Sequence, residues 1–187
     1  MLDYVALVEK WNRSINLVSR QDIDRLLSRH VLDSLSVNQF IKGTTVVDVG
    51  TGAGFPGIPL AIVNPERSFT LCDRMAKRMR FLQVVKSQLQ LSHVELLEKD
   101  FAKESGWVKP ADTILARAVA PAATLWPLLE PSLAHDGRIL VFSSTQTIDA
   151  DTEELAVVED SPYRCRAEQV AIPGLQQPHH VDILERH

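Results

Sequence analysis

Residues 46–60 read Val46-Val47-Asp48-Val49-Gly50-Thr51-Gly52-Ala53-Gly54-Phe55-Pro56-Gly57-Ile58-Pro59-Leu60, and this stretch decides the fold. Its β-branched apolar start predicts a buried strand, which is followed by closely spaced glycines and an apolar helix. Glycines in such a turn permit positive φ and let the backbone approach a ligand closely at a helix N-terminus. The stretch therefore predicts a Rossmann-like sheet that binds a nucleoside-bearing ligand at this turn.

The glycines fit two kinds of cofactor site. Residues 52–57 satisfy the dinucleotide pattern G-x-G-x-x-G, and Asp73 lies about 20 residues beyond it, as that pattern requires. The alternative is Asp48-x-Gly50-x-Gly52-x-Gly54, the turn that class I methyltransferases use for S-adenosylmethionine.

The charge of Asp48 favours S-adenosylmethionine. A dinucleotide pyrophosphate is anionic, so a carboxylate beside its turn would repel it. S-adenosylmethionine carries an ammonium and a sulfonium and no phosphate, so a nearby carboxylate attracts it. An acidic residue at the end of the second strand, here Asp73, can accept both ribose hydroxyls in either case. We therefore expect the cofactor to contact Asp48, Gly50, Gly52, Gly54 and Asp73.

The chain is acidic, with 187 residues, a net charge of −4 and a pI near 5.9. This balance argues against a protein that holds nucleic acid by a global positive field, so any RNA must contact local groups of Lys and Arg. Two such groups occur, and each could instead be a solvated helix face. They are Arg13, Arg20, Arg25, Arg29 and His30, and Arg74, Lys77, Arg78 and Arg80.

The sequence gives no sign of a membrane, a disulfide framework or a metal site. No apolar run approaches the roughly 18 residues of a membrane span, and no signal peptide precedes the first helix, so we expect a cytoplasmic protein. Cys72 and Cys165 are too few and too far apart for a disulfide framework or a zinc site. Cys72 falls in a predicted strand, where a small buried thiol is expected.

Hydrophobic periodicity predicts an α/β chain with a mostly parallel sheet and an antiparallel closing hairpin, as in class I methyltransferases. The predicted helices are 2–12, 22–41, 56–63, 75–90, 121–133 and 149–157, and the predicted strands are 45–49, 68–72, 94–97, 112–116, 138–142, 164–171 and 180–184. We expect a short helical extension over residues 1–43 and a methyltransferase domain over residues 44–187.

Several motifs together carry a family resemblance. They are Trp11-Asn12-Arg13 with Asn16-Leu17, Arg29-His30-Val31-Leu32-Asp33-Ser34, the glycine turn with Pro56-Gly57-Ile58-Pro59-Leu60, Asp73-x-x-x-Lys77-Arg78-x-x-Phe81-Leu82, and Ala116-Arg117-Ala118-Val119-Ala120. Over about residues 10 to 120 the chain resembles the GidB (RsmG) family. Methyltransferases in general share the glycine turn but not the Arg-His-x-x-Asp-Ser motif. The resemblance implies S-adenosylmethionine-dependent methylation of guanine N7 in 16S ribosomal RNA of the small subunit.

The resemblance also implies roles for single residues. Gly50 and Phe55 would contact the cofactor in the first turn, and Asp73 would bind its ribose. Phe101-Ala102 would form the adenine-binding turn after the third strand. Arg117 would face the cofactor cleft from the end of the fourth strand, where we expect it to hold a phosphate or the methionine carboxylate.

The implied chemistry needs no general base, because guanine N7 has an in-plane lone pair and no proton. Positioning and exclusion of water can then supply most of the catalysis. His30, Asp33 and Arg117 are the residues expected to position the reactants, although the first two could simply form a supporting pair. The residues expected to contact RNA are Arg29, Lys77 and Arg78.

Several departures from the family pattern, together with the acidic pI, keep other functions open. Phe142-Ser143-Ser144-Thr145-Gln146 stands where the family usually has Ala-Leu-Lys-Gly, so a basic residue is missing. His179 and His180 stand where the family typically has Arg followed by His, and zinc binding by that pair alone is not expected. The alternatives are a methyltransferase of another RNA or a small molecule, and an inactive cofactor-binding relic. We expect a monomer.

Overall fold

The computed structural model describes residues 1–103, 109–143, 162–173 and 179–187. Its seven strands are β1 (Thr45–Val49), β2 (Ser68–Asp73), β3 (Val94–Glu98), β4 (Ala111–Arg117), β5 (Leu133–Ser143), β6 (Arg164–Val170) and β7 (His179–Glu185). They form one sheet in the order β3-β2-β1-β4-β5-β7-β6. Strands β1 to β5 pair in parallel, and β7 pairs antiparallel with both β5 and β6. The predicted sheet with its antiparallel finish is thereby confirmed.

Five α-helices occur in the described part of the chain. They are α1 (Leu2–Asn12), α2 (Asp33–Ser36), α3 (Gly57–Val63), α4 (Ala76–Gln88) and α5 (Ala122–Leu129). The predicted helix 149–157 lies outside the described residues. None of the helices that are described is long and apolar enough to cross a membrane.

Strand β1 is buried on both sides, as its three valines predict. Successive strand residues point to opposite faces of the sheet. Val46 accordingly packs in the core cluster that includes residues of α1, α3 and α4. Val47 and Val49 pack in the cluster on the other face, which includes residues of α5. Asp48 shares the face of Val46 and is fully buried. This burial on the α3 side places an acidic side chain directly beneath the glycine turn.

The segment between α1 and β1 differs from the single helix predicted over residues 22–41. It forms a 3-10 helix (Arg20–Arg25), a π-helix (Leu26–Leu32), the short α2 and a second 3-10 helix (Asn38–Phe40). A π-helix bonds residue i to i+5, so residues five apart come near the same face. Leu26 and Val31 are both buried in this way. The apolar spacing predicted a helical segment correctly but could not distinguish among α-, 3-10 and π-helices.

Two other boundaries differ from prediction by more than two residues. The helix predicted over residues 121–133 ends at Leu129, and a 3-10 helix (Glu130–Ser132) follows, because Pro131 has no amide hydrogen with which to continue the α-helical hydrogen bonds. Strand β5 then begins at Leu133 rather than at 138, with a register shift against β4 between Ala111 and Thr113. Neither difference moves the carboxyl ends of the strands, where the candidate site lies.

Candidate cofactor and RNA site

The glycine turn after β1 adopts the backbone that its sequence predicts. Gly50, Gly52 and Gly54 have φ of 67°, 61° and 100°. A β-carbon on Gly54 would lie 2.6 Å from Ile58 Cγ1 and 2.9 Å from Leu82 Cδ2, so this glycine is required by space as well as by φ. The turn therefore brings main chain close to both the core and the cleft above it.

Asp48 holds the turn from below. Its Oδ2 accepts hydrogen bonds from the Thr51 hydroxyl at 2.5 Å and from the Gly57 amide at 2.9 Å, whereas Oδ1 has no hydrogen-bond partner in the described structure. Burial is the main cause that raises the pKa of this carboxyl to about 7. Asp48 lies behind the turn rather than in the lining of the cleft, so its predicted contact with the cofactor stays a prediction.

Asp73 holds the same turn from the end of β2. Its Oδ2 accepts hydrogen bonds from the Gly52 amide at 3.0 Å and from Arg78 Nη1 at 3.1 Å. Its Oδ1 accepts one from the Met75 amide at 2.8 Å. The carboxylate is 3% exposed, so these three donors satisfy most of a buried anion.

A cleft of about 340 Å³ opens above these groups at the carboxyl ends of the strands. It is lined by Gly50, Asp73, Arg74, Arg78, Lys99, Asp100, Phe101, Ala102, Ala118 and Val119. The sheet order reverses between β1 and β4, and ligands of open α/β sheets bind at such a switch point. The cleft joins a positive-φ glycine turn to a buried carboxylate, and these residues fit a ribosyl cofactor such as S-adenosylmethionine.

The cleft brings together part of the predicted cofactor site. Gly50, Asp73, Phe101 and Ala102 all line it. The other residues predicted to contact the cofactor do not line the cleft. Gly52, Gly54 and Phe55 belong to the turn itself, Asp48 lies behind it, and Arg117 lies beside it.

Arg117, at the end of β4, joins a second cluster. Its Nη1 donates to Asp33 Oδ2 at 3.2 Å, and its Nη2 donates to His30 Nδ1. The guanidinium carbon lies 5.4 Å from the centroid of the Phe55 ring. The structure thus brings the three predicted positioning residues into direct contact, next to a residue of the glycine turn.

The hydrogen bond from Arg117 fixes the tautomer of the His30 imidazole. An arginine can only donate, so Nδ1 accepts and the proton of the neutral ring is on Nε2. Burial, and secondarily the charge of Arg117, lower the pKa of His30 to about 4. Its ring stacks on Phe55, with centroids 5.1 Å apart. His30 is therefore neutral near pH 7 and unsuited to take up a proton.

Two residues of this cluster were missed from the sequence. His179 at the start of β7 donates from Nδ1 to Asp33 Oδ1 at 2.7 Å. Tyr4 donates its hydroxyl to the Ala53 carbonyl at 2.8 Å, and its ring lies 5.3 Å from that of Phe55. The substitution of His for the usual Arg was the only signal for His179, and an apolar helix face gave none for Tyr4.

The residues predicted to contact RNA fall in two places. Arg29 is half exposed on the π-helix and pairs with Asp22 at 3.0 Å. Lys77 is exposed on α4, whereas Arg78 lines the cleft. The segment 144–146, where the family usually has a lysine, lies outside the described residues.

Comparisons with known proteins agree with this geometry. The family model GidB, described as rRNA small subunit methyltransferase G, matches residues 1–182. The ribosomal RNA small subunit methyltransferase G of Yersinia pseudotuberculosis is 36% identical over 99% of this chain and 88% of that protein. The enzyme of the same name from Legionella pneumophila is 34% identical over 94% and 81%.

Solved structures agree on the fold. A SAM-dependent methyltransferase from Aquifex aeolicus has a TM-score of 0.63 at 18% identity, over 89% of this chain and 95% of that one. The predicted class I methyltransferase fold and the choice of S-adenosylmethionine over a dinucleotide are confirmed. Because the family model covers nearly the whole chain, this protein belongs to the rRNA small subunit methyltransferase G (GidB) family.

Proposed function

We propose that this chain transfers the methyl group of S-adenosylmethionine to N7 of a guanine in 16S ribosomal RNA. Membership of the GidB family supports the reaction and the substrate class. The structural observation that supports it best is the cleft between the glycine turn and the buried carboxylate of Asp73. The cofactor, when bound, supplies an electrophilic methyl group on a sulfonium.

Different residues of the site contact different parts of the cofactor. Asp73 accepts hydrogen bonds from the ribose, because its carboxylate is the buried acceptor of the cleft. Phe101 and Ala102 contact the adenine from the loop after β3, and Gly50 presents its backbone. Asp48 acts through space from beneath the turn, where its negative charge favours the cationic end of the cofactor.

The cluster of Arg117, Asp33 and His30 suits a methyl acceptor that gains positive charge. Methylated guanine becomes cationic, so a bare arginine beside the ring would oppose the reaction. Here the carboxylate of Asp33 offsets the charge of Arg117 at 3.2 Å, and His30 is neutral. These contacts favour positioning of the reactants by the three residues, and no proton has to be removed from N7.

The substrate is proposed to be the small ribosomal subunit, approached by a cytoplasmic monomer. Arg29, Lys77 and Arg78 contact RNA phosphates in this proposal, because each carries a cation at or near the surface beside the cluster or the cleft. Residues 1–43 act as an extension that completes the acceptor side, which is the part of the site that faces the methyl-accepting guanine. They do so because they supply His30 and Asp33.

The test is transfer of labelled methyl from S-adenosylmethionine to unmodified small ribosomal subunits, with deproteinised RNA and a small-molecule extract in parallel. Label on N7 of a single 16S guanine is expected, and Asp73→Ala, which removes the proposed ribose acceptor, should abolish it. Label only in the extract would assign another substrate. Absence of transfer, with cofactor binding intact by calorimetry, would indicate a different substrate, such as another RNA, or an inactive relic.

A further inference from the structure

The carboxylate of Asp73 cannot keep all its present donors when a ribose binds. It already accepts bonds from the amides of Gly52 and Met75 and from the guanidinium of Arg78. An ionised carboxylate offers roughly four acceptor sites. One site therefore remains for two ribose hydroxyls, and one donor has to leave if both hydroxyls are bound.

Arg78 is the donor that can leave. The amides of Gly52 and Met75 belong to the turns after β1 and β2, and breaking either bond would disturb the backbone that forms the cleft. The side chain of Arg78 is 31% exposed and lines the cleft, so its guanidinium can rotate into solvent.

The other carboxylate of the cleft, that of Asp100, already faces two cations. Asp100 also lines the cleft, but its Oδ2 is shared by Arg74 at 3.7 Å and Lys103 at 3.8 Å. These two cations are more than 70% exposed, and both distances exceed those of hydrogen bonds. Release of Arg78 therefore adds a cation to a rim that is already basic and accessible, and a phosphate of RNA is the anion that fits it.

We propose that Arg78 couples cofactor binding to RNA binding, through exchange of its guanidinium between Asp73 and an RNA phosphate at the mouth of the cleft. The inference rests on the proposed function and extends it. RNA then binds more tightly to the cofactor-loaded protein than to the free protein. By linkage, RNA raises the affinity for the cofactor by the same factor.

Two binding measurements test this coupling. Calorimetry gives the affinity for S-adenosylhomocysteine, which has the same ribose, and filter binding gives the affinity for deproteinised 16S ribosomal RNA with and without that ligand at saturation. In the wild type we expect RNA affinity to rise about fivefold or more on addition of S-adenosylhomocysteine. Arg78→Ala should bind RNA equally in both conditions and bind S-adenosylhomocysteine at least as tightly as the wild type.

Arg80→Ala is the matched control, because Arg80 is an exposed arginine of the same helix outside the cleft lining. It should keep the ratio of the two RNA affinities. Equal RNA affinities in the wild type, or a severalfold loss of S-adenosylhomocysteine affinity in Arg78→Ala, would overturn the coupling. If the wild type methylates 16S RNA without coupling, this inference alone fails. If it neither binds nor methylates that RNA, the proposed function fails as well.

Discussion

The guanidinium of Arg117 lies 3.2 Å from Oδ2 of Asp33, although 84 residues separate the two in sequence. His179 of β7 occupies the other oxygen of the same carboxylate at 2.7 Å. One buried carboxylate thus connects the segment before β1 to the ends of two strands. The acceptor side of the site is held in place by this connection rather than by the sheet alone.

Removing Arg117 should destabilise the protein. Arg117→Met leaves Asp33, whose side chain is 8% exposed, without its cation, and we expect a loss of about 3 kcal/mol in the free energy of unfolding. Urea denaturation measures it. The double variant Arg117→Met with Asp33→Asn removes the uncompensated charge and should recover part of the loss. A single variant as stable as the wild type would show that this ion pair is energetically neutral.

Two glycines of the turn should differ in their tolerance of alanine. Gly54→Ala places a β-carbon 2.6 Å from Ile58 Cγ1, whereas at Gly52 the nearest atom is the Gly50 carbonyl oxygen at 3.8 Å. Gly52→Ala should therefore cost only about 1–2 kcal/mol for its positive φ, whereas overpacking adds about 1–3 kcal/mol at Gly54. Thermal and urea unfolding of both variants test this ranking, and equal losses would contradict it.

The buried neutral His30 should make the protein sensitive to acid. Its pKa falls from 6.5 to about 4 on folding, so between these values the unfolded chain binds the proton and the folded chain does not. The contribution of His30 to the free energy of unfolding should therefore decline as pH falls from 6.5 towards 4, by roughly 3 kcal/mol.

The variant His30→Gln tests this assignment, because an amide oxygen can still accept from Arg117 but does not titrate in this range. Urea denaturation of both proteins at several pH values should show the stability of the wild type relative to the variant falling by roughly 3 kcal/mol as pH drops from 6.5 to 4. Parallel curves for the two proteins would place the acid sensitivity elsewhere.

Local motifs predicted the conformation of the glycine turn and the place of Asp73 beside it, whereas the contacts of these residues with the cofactor stay predictions. The glycine turn and Asp73 are set by residues close in sequence around a strand end, so their spacing indicates both conformation and ligand. The bond from Arg78 to Asp73 spans only five residues, but its choice of partner depends on the bend between β2 and α4. That bend is a matter of backbone geometry that residue spacing does not specify.

For the acceptor side, the sequence predicted which residues take part but not how they are arranged. A motif placed His30 and Asp33 near each other, but the π winding and the long-range partners followed from tertiary packing. The contact of His179 with Asp33 joins residues 146 apart. The neutral state of His30 depends on burial and on a guanidinium from another strand, neither of which is encoded locally.

The carboxyl group of Asp48 should make cofactor affinity depend on pH near neutrality. Burial raises its pKa to about 7, so its negative charge develops as pH rises through that value. If that charge attracts the cofactor, affinity for S-adenosylmethionine should increase from about pH 6 to about pH 8, and less so for S-adenosylhomocysteine, which lacks the sulfonium.

Asp48→Asn is the variant that separates charge from structure. The Asn side-chain oxygen can still accept the bonds from Thr51 and Gly57, so the turn is retained while the charge is lost. Calorimetry should show S-adenosylmethionine affinity that no longer changes between the two pH values. The raised pKa also means that, in the ligand-free protein, the contribution of Asp48 to stability declines as pH rises from 3.8 to about 7, opposite in sign to that of His30, and the variant lacks this decline. Wild-type cofactor affinity in the variant at the higher pH would restrict Asp48 to supporting the turn, since the charge would then have no effect on the ligand.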